Sequence, residues 1–92
     1  MVAKIILTTY PNMEEAKIAA KGAVSGGLAA CVNIVKVAST YAWKGKIEDA
    51  DEFLSFYKTT DAKVAKLRNF IESNHSYEVP EIITFNTNAY FA

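Results

Sequence analysis

The sequence contains few of the residues that build metal sites or disulfides. Its 92 residues include one Cys and one His. One Cys cannot form a disulfide within the chain, and a structural zinc site takes about four ligands, mostly Cys and His. No CxxC, HxxxH or HExxH spacing occurs in the sequence. A closed metal site within one subunit is therefore excluded, and the single Cys favours a reducing, cytoplasmic location.

An excess of charge and long apolar runs are also absent. Ten Lys/Arg balance ten Asp/Glu, so the chain has no electrostatic footprint for nucleic acid or an anionic membrane. No apolar run approaches the roughly 18 residues of a membrane span, and the N-terminus lacks the layout of a signal peptide. Apolar residues make up 51% of the chain, which excludes a disordered tail. The composition predicts a single domain over residues 1–92, without a nucleic-acid or membrane partner.

What the sequence does contain is a regular alternation of strand and helix patterns. A continuous apolar run over residues 4–10, stopped by Pro11, predicts a central strand buried on both faces. A helix follows, with Asn12 as its N-cap and Gly26-Gly27 at its end. A second helix is predicted from Thr60 or Asp61 to Asn74, and a last strand over residues 81–87.

Between the two helices the strand pattern persists for an unusual length. Residues 28–43 and 47–59 are strand-like on either side of the turn at residues 44–46, and each arm is about twice the common strand length of 5–6 residues. Such a hairpin overhangs a small domain, and an overhanging edge invites pairing with another subunit. The order β-α-β-β-α-β predicts an α+β, ferredoxin-like sandwich with an antiparallel sheet that forms oligomers.

The chemistry-bearing residues leave several interpretations open. A free thiol within the apolar run around Cys31 is expected to be buried. His75 follows a helix, where a hydrogen-bonding role is commoner than metal ligation, although His75 with nearby carboxylates is a candidate copper or zinc site. Glu52, Tyr57, Lys58 and Tyr77 are candidates for a functional cluster if the return strand meets the segment after the second helix, but a buried ion pair with aromatic neighbours is the favoured interpretation. No nucleophile motif or acid–base pair is recognisable, so we expect a protein without enzymatic activity.

Several short motifs occur in one order between about residues 5 and 85. They are TYP at 9–11, Glu15-Ala16, LAACVNI at 28–34, YAWKGKI at 41–47, Glu52, Lys58-Thr59, and HSYEVPEII at 75–83. In these motifs the chain resembles the CutA family of divalent-cation tolerance proteins. The resemblance implies a homotrimer whose hairpin arms extend the sheets across subunit boundaries, and a role in tolerance to divalent metals, copper in particular. The trimer also resembles PII signalling proteins, so an adaptor that binds a small effector or a partner protein is the alternative.

The resemblance further implies which residues gather near clefts between subunits. Polar and aromatic positions that match the family are Trp43, Glu52, Lys58, Tyr77 and Glu81, with His75 and Glu81 as the expected metal ligands. No obligatory cofactor is implied, and copper or zinc is the expected ion.

The chain departs from the family in two places. Ser76 stands where members usually have proline, which is expected to loosen the turn. The chain stops at Asn88–Ala92 where members continue into a terminal helix, so that helix is expected to be absent or reduced to one turn.

Overall fold

The predicted order of strands and helices is confirmed. The computed structural model describes residues 2–90 of the chain. Its elements are β1 (Val2–Tyr10), α1 (Met13–Ser25), β2 (Cys31–Trp43), β3 (Lys46–Thr60), a 3-10 turn (Asp61–Lys63), α2 (Val64–Ser73) and β4 (Ile83–Tyr90).

The four strands form one antiparallel sheet in the order β2-β3-β1-β4. β1 is therefore a central strand, as predicted. It is not buried on both faces within one chain, because Ile6, Thr8 and Tyr10 are buried but Ile5, Leu7 and Thr9 on the other face are only half-buried. Residues 3–10 of β1 pair with residues 60–53 of β3, and the other edge of β1 pairs with β4. No helix among residues 2–90 is long and apolar enough to cross a membrane.

The helix ends follow local rules to different degrees. Asn12 caps α1 as predicted, because its Oδ1 accepts a hydrogen bond from the Glu15 N–H at 2.8 Å. α2 begins without a side-chain cap, since Thr60 and Asp61 lead into the 3-10 turn and neither side chain bonds to a free N–H of the helix. At the other end of α2, Asn74 caps the helix as predicted, and its side-chain amide donates to the carbonyl of Phe70 at 2.8 Å.

One face of the sheet packs against both helices and forms the core. Alternate residues of β1 and β3 are buried on this face, as are three alanines of α1 and two aliphatic residues of α2. They are Ile6, Thr8, Tyr10, Ser55, Tyr57, Thr59, Ala16, Ala19, Ala23, Leu67 and Ile71. The small alanine side chains let α1 lie close to the sheet. The two helices also approach closely, because a Cβ on Gly22 would lie 2.8 Å from Cζ of Phe70.

The opposite face of the sheet carries no helix among the described residues. We call it the open face, and it presents Val35 (45% exposed), Ile83 (40%) and Phe85 (48%) to solvent. Leu54 and Phe56 of β3, which lie between them, are only half-buried. An apolar surface of this kind usually marks an interaction site.

The long hairpin projects beyond the rest of the sheet. β1 ends at Tyr10, whose register partner is Phe53, so residues 37–43 and 46–52 pair only with each other. We call this two-stranded segment the arm. It turns at Lys44-Gly45, where both residues have positive φ, and its tip exposes Trp43 (60%) and Ile47 (74%). The predicted overhang is thus confirmed.

Two boundary predictions were wrong. β2 begins at Cys31 and not at Leu28, because the N–H groups of Leu28 and Ala29 both bond to the carbonyl of Ala23 and complete the end of α1. The last strand is shifted from 81–87 to 83–90. The terminal helix was expected to be absent or reduced to one turn; residues 88–90 continue β4 and form no helix, and residues 91–92 lie outside the described part.

Cys31 also differs from expectation, since its side chain is exposed in the single chain. Its register partner is Lys58, and this pair lies on the open face. The apolar run therefore does not bury the thiol within one subunit.

Candidate functional site

Three of the predicted site residues meet where the arm begins. The Tyr77 hydroxyl donates a hydrogen bond to Oε2 of Glu52 at 2.7 Å. The Tyr77 ring also lies against the His75 ring, with 4.9 Å between the ring centroids. Glu52 is the neighbour of Phe53, the β3 residue that pairs with the end of β1, and therefore lies at the root of the arm. The hydrogen bond from Tyr77 to Glu52 thus ties the loop before β4 to the root of the arm.

His75 is fully buried and uses both ring nitrogens. Nδ1 accepts a hydrogen bond from the Tyr77 N–H at 3.1 Å, and Nε2 lies 2.8 Å from the carbonyl oxygen of Thr9. A carbonyl oxygen only accepts, so Nε2 carries the proton and Nδ1 keeps the lone pair. The ring also stacks on Tyr10 with 4.5 Å between centroids and an interplanar angle of 8°. The interpretation of His75 as a hydrogen-bonding residue is thus realised in the geometry.

This geometry sets a condition on metal binding by His75. A metal ion at Nδ1 would have to displace the Tyr77 N–H, and one at Nε2 would have to displace the proton that the ring donates to Thr9. Within residues 2–90 no three His, Cys, Asp or Glu side chains are grouped as a metal site. Glu81 is exposed, whereas the carboxylate of Glu15 lies 3.8 Å from Nδ1 of His75. The assignment of His75 and Glu81 as metal ligands stays a prediction.

Glu52 is the electrostatically distinctive residue of the site. Burial alone would raise the pKa of its carboxyl, but hydrogen bonds from Tyr77 and from the hydroxyls of Ser39 and Thr9 outweigh it and hold the pKa below its usual value. Burial, and after it the hydrogen bond to Glu52, raises the pKa of Tyr77. The site therefore presents an ionised carboxylate beside a protonated phenol at neutral pH.

The structure does not bring Trp43, Lys58 and Glu81 to this pair within one chain. Lys58 lies six residues from Glu52 along β3, and Trp43 lies six residues beyond Val37, the register partner of Glu52. At about 3.3 Å per residue, each is roughly 20 Å from Glu52, in opposite directions. Strand alternation places Trp43, Glu52 and Lys58 on the open face. Of the candidate cluster of Glu52, Tyr57, Lys58 and Tyr77, only Glu52 and Tyr77 are hydrogen-bonded to each other, since Tyr57 is buried on the other face of β3.

Sequence reasoning missed two contacts of the site. Tyr10, whose ring stacks on His75, and Tyr57 are fully buried and their hydroxyls bond to each other, and burial raises the pKa of both. Oε2 of Glu15 accepts a hydrogen bond from the Ser76 N–H at 3.1 Å. No local pattern predicts a contact between residues 61 positions apart, although Glu15 stands in a motif shared with the family.

Comparison with known families decides the identity. The family model of the CutA1 divalent ion tolerance protein matches residues 4–91. The chain belongs to the CutA family. Protein CutA from Homo sapiens is 46% identical over 76 residues, which cover 82% of this chain and 42% of the human protein. The divalent-cation tolerance protein CutA of Archaeoglobus fulgidus is 44% identical over 75 residues, which cover 82% of this chain and 74% of the archaeal one.

Solved CutA structures have the same fold. CutA1 from Oryza sativa superposes with a TM-score of 0.93 at 35% identity, covering 99% of this chain and 84% of the rice chain. The periplasmic divalent cation tolerance protein CutA from Archaeoglobus fulgidus gives 0.91 at 38% identity, covering 97% and 87%. The α+β fold, with a four-stranded antiparallel sheet and two helices, is therefore the CutA fold.

The CutA relatives differ from this chain in length. The chain spans about half the length of the vertebrate relatives it matches, 51% of the protein from Xenopus laevis and 42% of the human one. The relatives are named as tolerance proteins or simply as CutA, and these names denote no enzyme. The relatives are found in different compartments, since that of Arabidopsis thaliana is chloroplastic and that of Archaeoglobus fulgidus is periplasmic.

Proposed function

We propose that this CutA protein is a cytoplasmic homotrimer that binds copper or zinc near clefts between its subunits and acts in divalent-cation tolerance without catalysing a reaction. The observation that carries the proposal is the arrangement of the open face. Trp43, Glu52 and Lys58 lie on it in a line about 40 Å long. No single chain can gather residues so spaced at one ligand, whereas neighbouring copies can.

The surface of the open face supports assembly. Val35, Ile83 and Phe85 are each at least 40% exposed there and form an apolar surface that a second copy would remove from water. The arm supports assembly as well, because its two strands pair with no third strand in the single chain. Unpaired strand edges accept strands from other chains. Packing of open faces and pairing of arms would bring the Trp43 end of one copy toward the middle of another.

The chemistry of Glu52 supports a cation as ligand. Its carboxyl is half-buried and has a lowered pKa, so it is ionised at neutral pH. Carboxylate oxygens bind zinc, and copper sites combine oxygen with imidazole nitrogen. We therefore place Glu52 at the centre of the proposed ligand site. Copies of His75 and Glu81 would contribute if the His75–Tyr77 turn opens, with Lys58 balancing the charge and Trp43 and Tyr77 walling the cleft.

Metal titration tests the proposed ligand. Copper and zinc are titrated calorimetrically into the wild type, Glu52→Gln, His75→Ala and the control Glu72→Gln, which alters an exposed carboxylate on α2. We expect saturable binding that weakens at least tenfold in Glu52→Gln and is unchanged in Glu72→Gln. His75→Ala shows whether the imidazole takes part, with circular dichroism to check that the buried ring is not needed for folding. Absence of binding, or equal binding in Glu52→Gln and wild type, would contradict the metal assignment and favour the effector-binding alternative.

Light scattering tests the assembly independently of the ligand. The wild type is expected to have three times the mass of one chain. Phe85→Glu, which places a charge on the open face, should dissociate it, whereas Ile18→Glu should not, since Ile18 is exposed (65%) on α1. A stable wild-type monomer at micromolar concentration would refute the trimer. Fractionation of source cells, followed by immunoblotting, tests the cytoplasmic location.

A further inference from the structure

The turn that carries Tyr77 is held by a residue from the other side of the fold. Glu15 lies in the first turn of α1, and its Oε2 accepts a hydrogen bond from the Ser76 N–H at 3.1 Å. The same oxygen lies 3.8 Å from Nδ1 of His75. Glu15 is itself well placed, because its N–H is bonded to the Asn12 side chain at 2.8 Å and its own side chain is only 22% exposed.

Three hydrogen bonds define the backbone of the turn. The Glu15 carboxylate accepts a hydrogen bond from the Ser76 N–H, and Nδ1 of His75 accepts one from the Tyr77 N–H. Nε2 of His75 donates a hydrogen bond to the carbonyl of Thr9. The first of these bonds is the one that ties α1 to the turn. Two consecutive N–H groups are thereby directed at fixed acceptors, which sets the direction in which the Tyr77 side chain leaves the turn. The far end of that side chain is the hydroxyl that bonds to Glu52 at 2.7 Å.

We propose that Glu15 is a positioning residue for the Glu52–Tyr77 pair. By accepting the hydrogen bond from the Ser76 N–H beside the His75 ring, Glu15 fixes the turn. The Tyr77 hydroxyl thereby keeps its hydrogen bond to Glu52 at the root of the arm. Glu15 contacts no ligand of the proposed site itself. The proposal rests on the proposed function only in taking the Glu52–Tyr77 pair as the ligand site, since the positioning itself concerns contacts within the chain.

Two variants separate the effect of the length of the Glu15 side chain from the effect of its charge. Glu15→Asp keeps the negative charge at the helix N-terminus, where the helix dipole favours it, but shortens the side chain by one methylene group. Glu15→Gln removes the charge but keeps a carbonyl oxygen at the same reach. Glu14→Asp is the matched control, because Glu14 is exposed in the same helical turn and its side chain makes no recorded hydrogen bond within residues 2–90. All three changes are mild enough to keep the fold, which circular dichroism checks.

His75 supplies a clean readout, because it is the only His in the chain. In the wild type, ¹⁵N NMR of the ring should show one tautomer with the proton on Nε2. Glu15→Asp should give a mixed tautomer signal and make the Ser76 amide exchange roughly fivefold faster, as expected for losing one hydrogen bond. Glu15→Gln and Glu14→Asp should match the wild type in both measurements.

The outcomes distinguish this proposal from the proposed function. An unchanged His75 signal and unchanged Ser76 exchange in Glu15→Asp would overturn the positioning role, as would equal changes in Glu14→Asp. If these signals change as expected and copper binds the wild type but binds Glu15→Asp at least threefold more weakly, the role extends to the ligand site. If they change but copper does not bind the wild type, the positioning stands and the metal assignment fails. If copper binds equally to both, the positioning is restricted to the turn and the link to the ligand site is wrong.

Discussion

Removal of the Tyr77 hydroxyl probes the contact that joins the loop before β4 to the arm. Tyr77→Phe keeps the ring against His75 but removes the hydrogen bond to Glu52, which is 2.7 Å long. A hydrogen bond to a charged group contributes about 1.5–3 kcal/mol when buried. Both side chains here are half-buried, and water replaces part of the lost interaction, so we expect a loss of about 1 kcal/mol in the free energy of unfolding.

The pH dependence of this loss follows from the lowered pKa of Glu52. A carboxyl whose pKa is lower in the folded state contributes stability that is present above the unfolded pKa of about 4.3 and is lost as the pH falls through the folded value. Tyr77→Phe raises the folded pKa toward the unfolded one and so removes part of this contribution. The difference between wild type and variant should therefore be largest near pH 7 and should shrink as the pH falls below about 4.

Urea unfolding at pH 7 and at about pH 3, at one protein concentration, measures both effects. Tyr90→Phe is the control, because Tyr90 is 72% exposed and its hydroxyl makes no recorded hydrogen bond in the described part of the chain. The same substitution in a Glu52→Gln background completes a double-mutant cycle. A loss of equal size at both pH values, or of equal size with and without the Glu52 carboxylate, would refute the reasoning.

Three further substitutions test the fold, each measured by urea unfolding at pH 7. Thr8→Val removes a fully buried hydroxyl that has no hydrogen-bond partner among residues 2–90, so the free energy of unfolding should stay level or rise by up to about 1 kcal/mol. A clear loss would contradict this. Asn12→Ala removes the cap of α1 and should lower the free energy of unfolding by about 1 kcal/mol. The neighbouring Met13→Ala should lower it by less, and the reverse order would contradict the role of the cap. Arg68→Met should lower the free energy of unfolding by about 1–2 kcal/mol, because Nη1 of Arg68 donates hydrogen bonds to the carbonyl of residue 82 and to the Thr84 hydroxyl. An unchanged free energy of unfolding would show that these bonds do not hold the loop before β4.

Much of the fold follows from local patterns along the chain. The central position of β1 follows from its unbroken strand-like run, the start of α1 follows from the Asn12 cap, and its end follows from the paired glycines. The misplaced start of β2 has a local explanation too, since Leu28 and Ala29 read as strand but bond back to Ala23. Apolar character alone does not distinguish a residue that closes a helix from one that opens a strand.

The candidate site is predictable only in part. Motifs shared with the CutA family select Glu52, Tyr77 and His75, but they do not show which of the selected residues meet. Glu52 and Tyr77 meet because β1 stops at Tyr10 and leaves the root of the arm open to the loop before β4. Lys58 lies on the same strand and face as Glu52 and is still roughly 20 Å away, because strand spacing separates them.

The sequence by itself determined the small, neutral α+β domain, the long hairpin and the impossibility of a closed zinc site within one chain. Those conclusions depend on counts, periodicity and spacing, which are local properties. The tertiary structure alone decided the state of His75. The acceptor at Thr9 lies 66 residues away in sequence and the carboxylate of Glu15 lies 60 away, so only the folded sheet and α1 bring them to the ring. The same long-range packing surrounds the buried His75 ring with hydrogen-bond partners and brings the Tyr77 hydroxyl to the carboxylate of Glu52.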